Sequence, residues 1–397
     1  MHKGGVHGLK FNVLGAVVLA LCVTAVVTAL ERLHLLPHEP DKFIYDWKVS
    51  LLSKTIAAQR RDIAIIYIDD ASLSRYPYKS PIDRALLAAV IRAVDRTKPK
   101  AIGVDIIFDR PTEQDRDDAL LDALHQAHSP IVLIRTDAKE SGVRRRALEW
   151  QEHFLKSADK IVANPFLGAE DSSLSLSDYV IRDMAAFDER DDRYPPFALA
   201  LARIAGDRQY PANQLIDWLL PPADGREVFL TFVAPALDKV SAADDGDELV
   251  PPFMQKALSD RIVIIAGDMA GVDWYRVPMT VSNNLEVPGG YIHAQIIAQI
   301  LDGRQIRDLP EALTIAIVFI TTFFLYFAIE TLGERHPEII VEFAVIGLAM
   351  LFGVLLFWLF RVNFPSSQLA MVWLLAALSG KYTSAGLSRI QNRLFGE

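Results

Sequence analysis

Residues 11–30 (FNVLGAVVLALCVTAVVTAL) run for twenty positions without a charge, and no other feature limits the class of the chain so strongly. Twenty helical residues span about 30 Å, the thickness of a bilayer's hydrocarbon layer. Val27-Thr28-Ala29 has the small residues of a leader cleavage site. Leader cores run only about 7–15 residues, so the segment reads as a retained anchor. Three further apolar runs follow at the other end: 312–329, 343–360, and 367–380 within the longer run 364–380. The last is the shortest and begins more polar, which also suits an interfacial or packed helix. Trp358, Phe360, Phe364 and Trp373 fall where aromatic belts form.

Short connecting segments set the orientation. With the N-terminus in the cytoplasm, the inner segments 1–10, 330–342 and 381–397 hold Lys3, Lys10, Arg335, Lys381, Arg389 and Arg393. The outer loop 361–366 holds only Arg361. That bias predicts both ends inside and residues 31–310 outside, since long segments translocate largely regardless of charge. The inner segments are short, so the reading expects no catalytic domain on that side, and no enzyme. The bilayer itself is the first expected partner. The chain's net charge of −9 argues against nucleic acid as another. The single cysteine, Cys22, can form no intramolecular disulfide.

Segment 31–310 carries 34 Lys and Arg against 44 Asp and Glu, and is long enough to bury a large core. Its first half alternates apolar runs with helical periodicity. IAIIYI (63–68) ends in Asp69-Asp70, Pro81 opens a helical pattern, and AIGVDIIF (101–108) again carries an aspartate at its end. A helix at 115–128 and a strand at 131–134 continue the alternation. This predicts an α/β domain with a mixed, largely parallel sheet flanked by helices, beside an α-helical membrane region. Later elements are a helix at 196–205, strands at 228–233 and 261–266, and a helix at 290–301. Residues 31–57 suggest an amphipathic connecting helix, and Arg144-Arg145-Arg146 and 172–177 read as loop.

Particular residues resemble the type-2 CHASE domain, an extracytoplasmic sensor of bacterial membrane receptors. Its leading block is similar to Ile68, Asp69, Ser72 and Leu73, followed by Pro81 and Arg84. A second block resembles Gly103, Asp105 and Phe108. The closing block resembles Ile262, Val263, Ile265, Gly267 and Pro278, then Pro288, Gly289, His293 and Ala294, with Arg304 near the end. Ile82 replaces the aromatic that usually follows the proline, and Asp178-Tyr179-Val180-Ile181-Arg182 is a degraded middle element. The resemblance implies a periplasmic sensor domain on an inner-membrane protein. Family members commonly continue into a cyclase or kinase; here no output domain is expected, so the effector is a separate, unknown protein. A homo-oligomer is admitted as well. The rival reading is an accessory subunit of a membrane complex whose outer domain docks proteins.

Asp69, Asp70, Asp105 and Asp109 end two strands expected to be neighbours in a parallel sheet, at the edge where open α/β sheets bind ligands. With Arg84 and His293 they form the candidate polar cluster, either a ligand site or a structural ion-pair network. The structural version predicts that Arg84 pairs with Asp69 or Asp105. No nucleophile–base pair accompanies the carboxylates. His34/His38 and His125/His128 lack companion ligands, and SAADDGDE (241–248) lacks the alternation of a calcium loop. Neither metal nor cofactor is expected.

Overall fold

The computed structural model describes residues 4–374 apart from 34–38, 137–144, 169–179, 235–251, 270–272, 282–285, 333–337 and positions 75, 77, 191, 207, 212 and 213. The acidic loop 241–248, the serine-rich stretch 172–177, Asp178, Tyr179, His34, His38 and segment 381–397 lie outside the described residues. Two compact units divide the chain, Val49–Gln305 and a second made of Met1–Lys48 with Ile306–Glu397.

The main elements, in chain order, begin with α1 (Gly4–Arg32), α2 (Glu39–Leu52), β1 (Ile63–Asp69), α3 (Arg84–Arg96) and β2 (Ala101–Asp105). Next come α4 (Gln114–Gln126), β3 (Ile131–Ile134), α5 (Arg145–Ala158), β4 (Ile161–Ala163) and α6 (Phe197–Ile204). Then follow β5 (Leu230–Val233), α7 (Pro252–Leu258), β6 (Ile262–Asp268), α8 (Gly289–Asp302), α9 (Glu311–Leu332) and α10 (Glu338–Phe360).

Six strands form one sheet in the order β4-β3-β2-β6-β1-β5, and every pairing is parallel. The sheet is thus wholly parallel where a mixed one was expected. Strands β1 and β2, expected side by side, are separated by β6, which pairs with both. The strands are continuous apolar runs because both faces are covered. Ile66, Ile68, Ile102, Val104, Val263 and Ile265 face one core, shared with α3, α4, α5 and α7. Alternate residues face α6 and α8. On that side Gly103 lets α6 approach closely: a Cβ there would lie 2.6 Å from both Phe197 and Leu201. Gly290 does the same for α8, where a Cβ would lie 2.5 Å from that of Ala266.

Local chemistry moves several expected boundaries. Helix α3 begins at Arg84, three residues beyond Pro81, because Asp83 caps it by accepting from Ala85 N and Leu86 N, each at 3.0 Å. Arg145 and Arg146, expected in a loop, instead open helix α5, which buries Phe154 and Leu155 against the first core. Strand β2 stops at Asp105 instead of 108. Gly303, at φ 62°, closes α8 in the left-handed conformation. Two buried glutamines on α8 act as strand partners. Gln295 Oε1 accepts from Leu219 N at 3.0 Å while its Nε2 donates to Leu219 O at 3.0 Å. Gln299 accepts from Asp217 N and donates to Leu215 O.

In the second unit α1 packs along α9, and Ala16, Leu19, Val23, Leu325, Phe364 and Leu369 share an apolar cluster. Trp373 Nε1 donates to Thr321 Oγ1 at 3.2 Å, and the chain is helical over 366–374. The Lys48 amine is buried, donates to Phe364 O at 3.1 Å, and is pushed down to about 8 by burial. Among the described residues no helix is long and apolar enough to cross a membrane.

Candidate functional site at the carboxyl edge of the sheet

Three carboxylates stand at the ends of adjacent strands, Asp69 on β1, Asp105 on β2 and Asp268 on β6, with Asp268 level with Asp69. Asp105 is the most enclosed. Val104 faces the α3 side, so the next residue, Asp105, points under α6 and α8. There the His293 Nε2 lies 3.9 Å from Asp105 Oδ1, with side-chain exposures of 5 % and 7 %. That separation exceeds a hydrogen bond. Asp105 Oδ2 and His293 Nδ1 are buried and make no hydrogen bond. The Phe197 ring meets the imidazole edge-on, 5.1 Å between centroids.

Asp273 joins this pair from the segment before α8. Its carbonyl accepts from Gly289 N at 2.9 Å, and its Oδ1 accepts from Tyr275 Oη at 2.8 Å. Gly289 makes room for it: a Cβ there would stand 2.8 Å from Asp273 Oδ2. Trp274–Tyr275 then pairs antiparallel with Val287–Pro288, holding Asp273 against the start of α8.

Burial governs the protonation of the group. It raises the Asp105 carboxyl to about 7. Burial, then the neighbouring Asp105 charge, raises Asp273 to about 6. Burial pushes His293 down to about 4, opposed by Asp273 and the Pro165 carbonyl. Tyr275 is raised by burial and by Asp273. Near neutrality the site therefore holds a neutral imidazole beside a carboxyl that is exchanging its proton. Such a pair can accept a hydrogen bond, donate one, or take up a cation, and it sits where α/β sheets bind ligands.

The other expected members are placed elsewhere. Arg84 does not pair with Asp69 or Asp105, because α3 covers the opposite face of the sheet. It is fully buried, lies 4.6 Å over the Phe108 ring, and has its nearest carboxylate in Asp117, 3.8 Å away. None of its three guanidinium nitrogens makes a hydrogen bond, and burial lowers it to about 10. Asp69 turns back on its own loop, accepting from Ser72 N at 2.7 Å. Asp70 pairs with Lys79 and Asp109 with Arg110, each a half-buried carboxylate held by an exposed cation. Among the described residues no group of three His, Cys, Asp or Glu is placed to hold a metal ion. Asp273 and Tyr275 are the additions the sequence reading lacked; they lie in an irregular segment, and only Pro288-Gly289 hinted at close packing nearby.

A model of the CHASE2 domain matches residues 16–328. The chain belongs to the CHASE2 family. No curated protein and no solved structure matches it. The CHASE2 match takes in the entire α/β unit together with most of α1 and α9. Membership implies an extracytoplasmic sensory role. The CHASE2-like blocks now have physical reasons. Ile68, Asp69, Ser72 and Leu73 turn the chain after β1. Gly103 and Asp105 admit α6 and supply the buried carboxyl, and Pro288, Gly289 and His293 start α8 over it.

Proposed function

We propose that this CHASE2 protein is a membrane-anchored sensor, not an enzyme, that reads an extracytoplasmic signal at Asp105, His293 and Asp273 and relays it to a separate effector protein. The carrying observation is the buried, hydrogen-bond-deficient Asp105–His293 pair, because His293 belongs to the helix that leads into α9 with eight residues between. A ligand that completes those bonds in one arrangement of α8 and not in another biases the helix. Segments 11–30, 312–329, 343–360 and 367–380 are the proposed spans, supported by their uncharged lengths. Both ends and loop 330–342 are then cytoplasmic, and the protein resides in the bacterial inner membrane with the α/β unit in the periplasm.

Two measurements test this. Reporter fusions near residue 200 should read periplasm and those after residue 335 cytoplasm; the reverse pattern removes the topology. For sensing, the full chain in nanodiscs is screened by thermal shift against small extracytoplasmic metabolites. A stabilising compound should lose its effect in Asp105→Asn and His293→Gln. A compound acting equally on both variants puts the site elsewhere, and a screen without any response removes the sensing reading.

A further inference from the structure

The amino edge of the sheet carries the opposite charge to its carboxyl edge. Three neighbouring strands, β6, β1 and β5, are each preceded by cations: Arg261, then Arg60 and Arg61, then Arg226. Ile262 pairs with Ile63, which sets Arg261 level with Asp62 and next to Arg61 across the strands. Lys256, in the last turn of α7, completes the group. These five cations and Phe253 are among the residues enclosing a cavity of about 300 Å³, and no acidic side chain lines it.

Two of the five are already neutralised. Arg60 binds Asp62 at 2.5 Å and Asp302 at 2.6 Å, and Arg226 binds Asp224 at 2.5 Å. Among the described residues, Arg61, Lys256 and Arg261 have no ion pair. Arg261 is lowered by burial and then by the charge of Arg61, opposed by the smaller influence of Asp62, whose carboxylate is already bound by Arg60. In a chain of net charge −9, three cations without an ion pair round one concavity concentrate a positive potential. Arginine forks match phosphate oxygens bidentately, and an ammonium adds a point charge. Phe253, 65 % exposed, offers a ring to the organic part of a ligand.

We propose that this cavity binds a phosphate-bearing anion through Arg61, Lys256 and Arg261, with Phe253 flanking it. The site is at the opposite edge of the sheet from Asp105 and His293 and does not depend on the sensing role given to them. A phospholipid headgroup and a free phosphorylated metabolite present the same chemistry.

The test uses the full chain in phosphatidylcholine nanodiscs, with thermal unfolding followed in inorganic phosphate against chloride at matched ionic strength. A second arm replaces part of the phosphatidylcholine with phosphatidylglycerol. The expected result is a rise in Tm that Arg61→Gln/Arg261→Gln removes, with phosphate binding about tenfold weaker or more. Lys256→Gln, at an exposed helical position, serves if the double variant does not fold. Arg110→Gln/Arg190→Gln, which removes exposed cations elsewhere, should keep the full shift. A variant-sensitive response to free phosphate assigns a soluble ligand, and one confined to phosphatidylglycerol assigns a headgroup. No response in either arm, or one that survives in Arg61→Gln/Arg261→Gln and in Lys256→Gln, overturns the proposal.

Discussion

Arg84 and Asp105 are both buried near the carboxyl edge of one sheet, yet they lie on its opposite faces and never meet. The separation changes what each is expected to do when altered. Asp117, the nearest carboxylate to Arg84, already accepts from Thr112 N at 2.9 Å and Thr112 Oγ1 at 2.8 Å. Removing Arg84 therefore strands no carboxylate. Arg84→Met should change stability by less than about 1 kcal/mol, as relief of guanidinium desolvation offsets the lost ring contact. Arg84→Ala should cost roughly 2–4 kcal/mol through the cavity it leaves. Denaturant titration of both variants checks this; a loss of 3 kcal/mol or more in Arg84→Met would reveal a paired guanidinium.

Asp105 makes stability depend on pH. Its folded value, about 7, is raised from the ordinary 3.8, so its contribution is complete below about pH 4 and is lost as pH rises through 7. Asp273, raised to about 6, follows the same direction. His293, lowered to about 4, opposes them: its contribution is present above its ordinary 6.5 and is lost as pH falls through 4. Comparing wild type with Asp105→Asn isolates the first. Between pH 4 and pH 8 the difference should move in favour of the variant by roughly 4 kcal/mol. Denaturation at several pH values measures it, and a constant difference would show a carboxylate ionised throughout.

Gly290→Ala sets helix propensity against packing. Alanine inside a helix gains about 1 kcal/mol over glycine. The new methyl would meet the Ala266 Cβ at 2.5 Å, on a central strand that cannot yield. The net expectation is a loss of about 1–3 kcal/mol, read as a lower Tm. An unchanged or higher Tm would mean that α8 can lift from the sheet at no cost.

Gln295→Leu conserves volume but removes two bonds to the Leu219 backbone. Both the N–H and the C=O of Leu219 lose that side-chain partner in a buried place, at a cost of about 2–4 kcal/mol. Amide exchange of Leu219 should accelerate in step. Protection equal to wild type would show that another group takes over.

How far the sequence could be read depended on whether the signal was local. Runs such as IAIIYI ending in aspartate mark buried strands and put carboxylates at one edge without any knowledge of neighbours. Helices α4, α6 and α8 fall within two residues of their expected positions for the same reason. Which strand lies beside which, and which helix covers which face, is decided by tertiary packing. Nothing in residues 63–105 announces that β6 will come between β1 and β2. The Arg84–Asp105 pairing failed on that point. Asp273 was missed because it lies in an irregular stretch, positioned by a glycine that leaves room for it.

The late arrival of β6 has a consequence for biogenesis. The strand that bridges the two halves of the sheet begins at Ile262, some two hundred residues after β1 starts at Ile63. A chain emerging N-terminus first therefore presents β1 and β2 with their inner hydrogen-bonding edges unpaired until α7 and β6 follow. Nascent chains stalled before residue 262 are expected to need chaperone protection, whereas those extended past Asp268 can close the sheet.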